Sequence, residues 1–209
     1  MKWNQSPIHV TRWVRQLLYI AEEVRGLNKI QIEKIVEEIK AGETERFGAI
    51  VEALQQPIFR YCYHMLGQKE EAEDAVQEVL IKAYEQIDHY KTSLSFSAWV
   101  YKIAYHHCLN LLNRKKRYRM ISFFTSSVPA AIRNEGETRV DSQQLSEPLH
   151  LALLQLSPAE RNLIILRVVE EKEYEELATM LNKNTAALRK QYERALKKCK
   201  QYLQQQKGG

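Results

Sequence analysis

Residues 156–203 read LSPAERNLIILRVVEEKEYEELATMLNKNTAALRKQYERALKKCKQYL, and the fold is decided here. Glu175 to Leu181 suits a short helix, and Asn182 stands where a turn must follow. Asparagine tolerates the left-handed backbone such turns need. Asn184 is placed to cap a second helix, because its side-chain oxygen can accept a free N–H at a helix start. In that helix Leu188, Tyr192, Ala195 and Leu196 share a face predicted to pack inward, and Thr185, Ala186, Arg189, Lys190, Glu193 and Arg194 share the outward one. It carries Arg189, Lys190, Arg194, Lys197, Lys198 and Lys200 against a single acid, Glu193. A helix that basic, behind a short helix and a polar turn, suits a DNA major groove. A solvated basic helix without a ligand is the simpler alternative, but it leaves the turn and cap signals unused.

Upstream, the helical period continues. Ile32, Ile35, Val36 and Ile39 recur at helical spacing up to Gly42. A second helix is predicted over 43–66, with Phe47, Ile50, Val51, Leu54, Ile58, Tyr61 and Met65 inward, Pro57 placed to bend it and Gly67 to end it. A third, over 70–87, turns Ala72, Ala75, Val76, Val79, Leu80 and Ala83 to the core. A polar loop over 88–95 precedes a fourth helix over 95–117. Strand-like alternation is missing throughout, so the expected fold class is all-α. It comprises two small helical domains: a bundle over 30–119 and a helix-turn-helix domain over 148–206, joined by a flexible linker over 120–147 that has Ser, Pro, Gly and acids and no sustained period. Residues 1–29 form an amphipathic extension, with Val10, Trp13, Val14, Leu17, Ala21 and Val24 on one face.

The 209 residues carry 31 Lys and Arg against 26 Asp and Glu, and the net charge of +5 mildly favours a polyanionic partner. Cys62, Cys108 and Cys199 are odd in number and far apart, which suits a reduced, cytoplasmic protein without disulfides or a zinc site. His106, His107 and Cys108 are adjacent and would point apart on a helix, so no metal or other cofactor is expected. No apolar run approaches the ~20 residues that span a bilayer, and Arg12 and Arg15 interrupt the N-terminal apolar residues, so neither membrane insertion nor a signal peptide is expected.

Two clusters in the first domain carry chemistry. Asp74, Gln77 and Glu78 share one helical face, either solvated or built for a basic partner. Arg114, Lys115, Lys116, Arg117 and Arg119 crowd a helix end. The helix dipole accounts for one or two such cations, and phosphate contact accounts for the rest better. Between the clusters stand Tyr90, Lys91, Phe96 and Trp99. The spacing of Phe96 and Trp99 reads as core, whereas Tyr90 and Lys91 suit stacking on unpaired bases and binding phosphates.

Residues 65–117, MLGQKEEAEDAVQEVLIKAYEQIDHYKTSLSFSAWVYKIAYHHCLNLLNRKKR, resemble region 2 of bacterial sigma factors, most of all the short extracytoplasmic-function group. The landmarks are Asp74-Ala75-Val76-Gln77-Glu78, Lys82-Ala83-Tyr84, Phe96 with Trp99, Ile103-Ala104 and the closing basic run. The tail from Leu156 is similar to region 4 of the same family through Leu156-Ser157-Pro158-Ala159-Glu160-Arg161, Tyr174, Glu176-Leu177-Ala178 and Arg194-Ala195.

The resemblance implies a transcription initiation factor and not an enzyme, since catalysis belongs to core RNA polymerase. It assigns Asp74, Gln77 and Glu78 to the beta-prime clamp helices. It assigns Tyr90, Lys91, Phe96, Trp99, Arg114, Lys115, Lys116 and Arg117 to recognition and melting of the promoter −10 element. Asn184, Thr185, Ala186, Arg189, Lys190, Arg194 and Lys197 go to the −35 element, with the second domain on the beta flap. An anti-sigma factor is an expected regulator, and the N-terminal extension is its candidate handle or an internal cover. The alternatives are a stand-alone helix-turn-helix regulator, which leaves 65–117 unexplained, and an adaptor whose region 2 binds a regulator in place of polymerase.

Overall fold

The structure, a computed structural model, describes residues 28–124, 147–169 and 172–206. The expected amphipathic helix of the N-terminal extension and the linker from 125 to 146 lie outside these residues. The described residues are helical, turn or coil, and they fall into two compact units.

The first unit holds α1 (Lys29–Lys40), α2 (Phe47–Leu66), α3 (Lys69–Glu85) and α4 (Phe96–Phe124), with single 3-10 turns at Thr44–Arg46 and Ile87–His89. Its core follows the 3.6-residue period. Ile32, Ile35, Val36 and Ile39 of α1 are buried, as are Ile50, Leu54, Ile58, Tyr61 and Met65 of α2. In α3 the buried set is Ala72, Ala75, Val76, Val79, Leu80 and Ala83; its three alanines let neighbouring helices approach closely. Phe96, Val100, Tyr101, Ala104 and Cys108 close the core from α4. The α2–α3 turn depends on Gly67, whose N–H donates to the Tyr63 carbonyl at 2.8 Å and whose left-handed φ of 85° then turns the chain away from α2.

One boundary differs from the sequence reading. The sequence pattern ends the fourth helix at Arg117, yet α4 continues to Phe124, into the stretch assigned to the linker. No glycine or proline interrupts residues 118–124, so the backbone ladder simply propagates. This last part outruns the bundle, and Tyr118, Met120 and Ile121 are all more than half exposed.

The second unit holds α5 (Glu147–Leu154), α6 (Pro158–Ile164), a π-helical turn (Ile165–Val169), α7 (Tyr174–Leu181) and α8 (Thr185–Gln205). Ser157 starts α6 with a reciprocal capping box. The Glu160 N–H donates to Ser157 Oγ at 3.4 Å, and the Ser157 N–H donates to Glu160 Oε2 at 3.1 Å. The buried Arg161 guanidinium donates to the carbonyls of Leu153, Leu154 and Leu156 at 2.9, 2.9 and 3.3 Å, tying α6 to the end of α5 and the turn after it. Leu163, Ile164, Ile165, Leu177, Met180, Leu188, Ala195 and Cys199 form the core.

Candidate nucleic-acid interface

The turn between α7 and α8 is built as its chemistry predicts. Asn182 sits at φ 51°, ψ 52° in the left-handed region, and the Ala186 N–H donates to Asn184 Oδ1 at 2.8 Å. These devices orient α8 so that Leu188 and Ala195 are buried, with Tyr192 and Leu196 half-buried. Ala186, Arg189, Lys190, Arg194 and Lys197 are exposed, Asn184 is exposed at the cap, and Thr185 is half-exposed. Lys198 belongs elsewhere, since its ammonium donates to Glu160 Oε1 at 2.6 Å and ties α8 to the start of α6. Burial pushes the Glu160 pKa up, but Lys198 and the Ser157 hydroxyl and N–H outweigh it and leave the carboxyl below its ordinary value.

In the first unit, Asp74, Gln77 and Glu78 are all exposed on one strip of α3, opposite its alanine face. Lys82 closes the strip, 3.7 Å from Glu78 Oε2 and 3.2 Å from His107 Nδ1 of α4. Two grooves run between α3 and α4. One of about 360 Å³ is lined by Glu71, Asp74 and Glu78, and one of about 670 Å³ by Lys82, Asn110, Lys116 and Arg117. His107 and Arg114 line both, forming the wall between an acidic and a cationic groove. Burial lowers the His107 pKa, as do the Lys82 and Arg114 charges, against an opposing pull from Glu78.

The basic run of α4 is not uniform. Arg114, Lys116 and Arg117 are exposed, while Lys115 is half-buried and donates to Glu71 Oε2 at 2.6 Å. With Arg119 also exposed, four of the five cations thus face solvent, and Lys115 binds α3 to α4.

The loop before α4 is held from α1. The Tyr90 hydroxyl lies 2.8 Å from Glu33 Oε2 and 2.7 Å from the Leu94 carbonyl, two acceptors for its one proton. The Phe96 N–H donates to Glu33 Oε1 at 2.8 Å, and Lys40 Nζ donates to the Tyr90 carbonyl at 2.7 Å. The rings of Tyr90, Phe96 and Trp99 pack with centroids 5.2 to 5.5 Å apart. Burial, then the Glu33 carboxylate, raises the Tyr90 pKa well above the ordinary phenol value. Of the four residues marked in this loop, Lys91 is exposed, Trp99 is half-buried, and Tyr90 and Phe96 are buried. The two buried rings form the floor of the loop. They present no face to an incoming base in this state, because Glu33, Lys40 and the neighbouring rings occupy their surroundings.

Sequence reasoning missed Glu33, Lys40, Glu71 and His107. Glu33 is separated from Tyr90 by 57 residues and Glu71 from Lys115 by 44, so no local pattern marks them. Among the described residues no three His, Cys, Asp or Glu side chains gather as metal ligands, and no helix is long and apolar enough to cross a membrane.

Residues 50–118 match the Sigma-70 region 2 family and residues 146–199 match Sigma-70, region 4. An acidic strip, a basic helix end and a capped helix-turn-helix therefore lie within both halves of one known architecture, and the chain belongs to the sigma-70 family of RNA polymerase sigma factors. Within it the chain is of the extracytoplasmic-function (ECF) group, a transcription initiation factor. It is 30% identical over 162 residues to the ECF RNA polymerase sigma factor SigW of Bacillus subtilis, covering 74% of this chain and 87% of that protein. It is 28% identical to the ECF RNA polymerase sigma factor SigE of Mycolicibacterium smegmatis, covering 70% of this chain and 57% of that protein. The fold is similar to that of the sigma factor RpoE of Bartonella quintana, solved with the anti-sigma factor NepR. The TM-score is 0.59 at 21% identity, over 76% of this chain and 96% of that one.

Proposed function

We propose that the chain binds core RNA polymerase through the acidic strip of α3, opens the −10 element with the loop and basic end of α4, and reads the −35 element with α8. The observation that carries this reading is the segregation of charge. The charged side chains of the exposed strip Asp74–Glu78 are carboxylates, beside the amide of Gln77, while exposed cations gather at the end of α4 and along α8. Complementary charge speeds docking and selects partners more than it adds affinity.

Asp74, Gln77 and Glu78 meet basic side chains of the beta-prime clamp helices. Lys91, Arg114, Lys116 and Arg117 bind phosphates of the opened −10 strand. Tyr90 and Phe96 shape the loop, and the half-exposed Trp99 offers its ring for stacking. On α8, Arg189 has the fork geometry to donate two hydrogen bonds to a guanine. Asn184, Thr185 and Ala186 stand near the end that enters the groove, and Lys190, Arg194 and Lys197 hold phosphates. Two tethered DNA-binding units gain from effective concentration, so each can be weak alone. The chain itself makes or breaks no bond; catalysis is the polymerase's. Three buried free thiols suit a cytoplasmic setting. An anti-sigma protein is its proposed regulator, as NepR is the partner of the Bartonella sigma factor.

Run-off transcription with core polymerase on a pool of promoter fragments tests this. New 5′ ends sharing paired −35 and −10 elements are expected only when the chain is added. Stable DNA binding without core binding would return the chain to the stand-alone regulators.

A further inference from the structure

Arg189 is already engaged before any DNA arrives. Its guanidinium carbon lies 5.2 Å from the centroid of the Tyr174 ring, and its Nη2 is 3.8 Å from Glu175 Oε1. The guanidinium carbon of Arg167, from the π-helical turn, lies at the same 5.2 Å from the same ring and also pairs with Glu173 at 3.9 Å. Tyr174 is half-buried at the start of α7 and meets Tyr192 of α8 edge-on, with centroids 6.2 Å apart and planes at 82°. The ring is thus held by the same helix whose arginine it contacts.

The chemistry of this contact leaves Arg189 able to read. A guanidinium stacked flat on an aromatic ring keeps its five N–H donors in its own plane, pointing outward. A ring contact therefore fixes the plane without consuming the donors that a guanine edge needs. Arginine loses considerable rotamer freedom when it is immobilised, and a neighbour that limits this freedom beforehand reduces the loss on binding. Glu175 adds direction, because a carboxylate on one edge leaves another edge for the base.

We propose that Tyr174 is a specificity-determining positioning residue that, with Glu175, orients the Arg189 guanidinium, so that base preference at one −35 position is set by α7 together with α8. This inference rests on the reading of Arg189 as a base contact.

The test uses holoenzyme assembled from core polymerase and the full chain, with a promoter library randomised across the −35 element. Arg189→Ala is expected to flatten the preference at one position. Tyr174→Leu should weaken the preference at that same position roughly 2- to 5-fold, the worth of an exposed cation–π contact, and leave the other positions alone. Tyr174→Phe, which keeps the ring, should match the unchanged chain. The ring-current shift of the Arg189 Nε–H proton in NMR spectra should persist in Tyr174→Phe and vanish in Tyr174→Leu. An unchanged profile in Tyr174→Leu, or equal weakening at every −35 sequence, overturns the proposal while Arg189 keeps its role. If Arg189→Ala alters no position, the base-contact reading falls and the inference falls with it. Should Tyr174→Leu fail to fold, Glu175→Gln replaces it. A smaller loss at the same position supports the proposal, and no loss overturns it.

Discussion

Glu33 of α1 accepts hydrogen bonds from two points of a loop about sixty residues downstream, its Oε2 from the Tyr90 hydroxyl and its Oε1 from the Phe96 N–H, both at 2.8 Å. One carboxylate thereby holds the entry and the exit of the loop that precedes α4. It also places negative charge at the N-terminus of that helix, where the dipole favours it. Glu33→Ala is expected to destabilise the chain by about 2 kcal/mol, the scale of hydrogen bonds to a charged group. Urea unfolding measures this. At a promoter, the same variant should lower the permanganate reactivity of −10 thymines while core binding is kept. A variant as stable and as active in melting as the parent would remove Glu33 from the design of the loop.

The acidic strip of α3 holds no core residue, and its Glu78–Lys82 ion pair at 3.7 Å is exposed and weak, so reversing a charge there should largely spare the fold. Glu78→Lys is predicted to change stability by no more than about 0.5 kcal/mol and to weaken core polymerase binding about tenfold or more, chiefly through slower association at low salt. Surface-immobilised core polymerase and a thermal melt distinguish the two effects. Lost stability with intact binding would contradict the proposed docking face.

Neighbouring cations on α4 should behave differently. Replacing Arg114, Lys116 or Arg117 by Ala should each reduce the slope of log affinity against log salt by about 1, read on fork-junction promoter DNA with holoenzyme. Lys115→Ala should reduce it much less, because its ammonium is committed to Glu71. Equal slopes for Lys115→Ala and Lys116→Ala would show that the ion pair opens on DNA.

Acid should loosen the second unit through Glu160. Its pKa in the folded chain lies below the ordinary 4.5. The unfolded chain therefore binds the proton more readily, and the contribution is complete above about 4.5 and lost as pH falls through the folded value. Thermal melts on both sides of that pH should show the loss, and Glu160→Gln should remove it. Ser157→Ala deletes the cap from the same cluster and is expected to cost about 1 kcal/mol at neutral pH. A Glu160→Gln variant with the parent's acid sensitivity would place the titrating group elsewhere.

Much of the architecture was legible in the sequence because it is local. The alanine face of α3, the left-handed Asn182 and the Asn184 cap each follow from residues within one or two turns of one another. The π-helical turn at Ile165–Val169 was not, because it interrupts a nearly continuous apolar run that has no period to break. Nor could the sequence separate Lys115 from Lys116. They are adjacent and chemically identical, and only the arrival of Glu71 from another helix distinguishes them. The burial of Tyr90 is likewise illegible locally, because its partners Glu33 and Lys40 lie 57 and 50 residues away.

The division of labour along α8 bears on how such a protein diverges. Its packing rests on Leu188, Ala195 and Cys199, none of which faces outward, while Ala186, Lys190, Arg194 and Lys197 contribute nothing to the core. Exchanges among those outward residues are close to neutral for the fold. Copies of this gene could therefore drift toward new target sequences one substitution at a time without passing through an unfolded ancestor. Arg189 is the exception. Its contacts with Tyr174 and Glu175 make its replacement non-additive with theirs, so that position should change in concert with its neighbours or not at all.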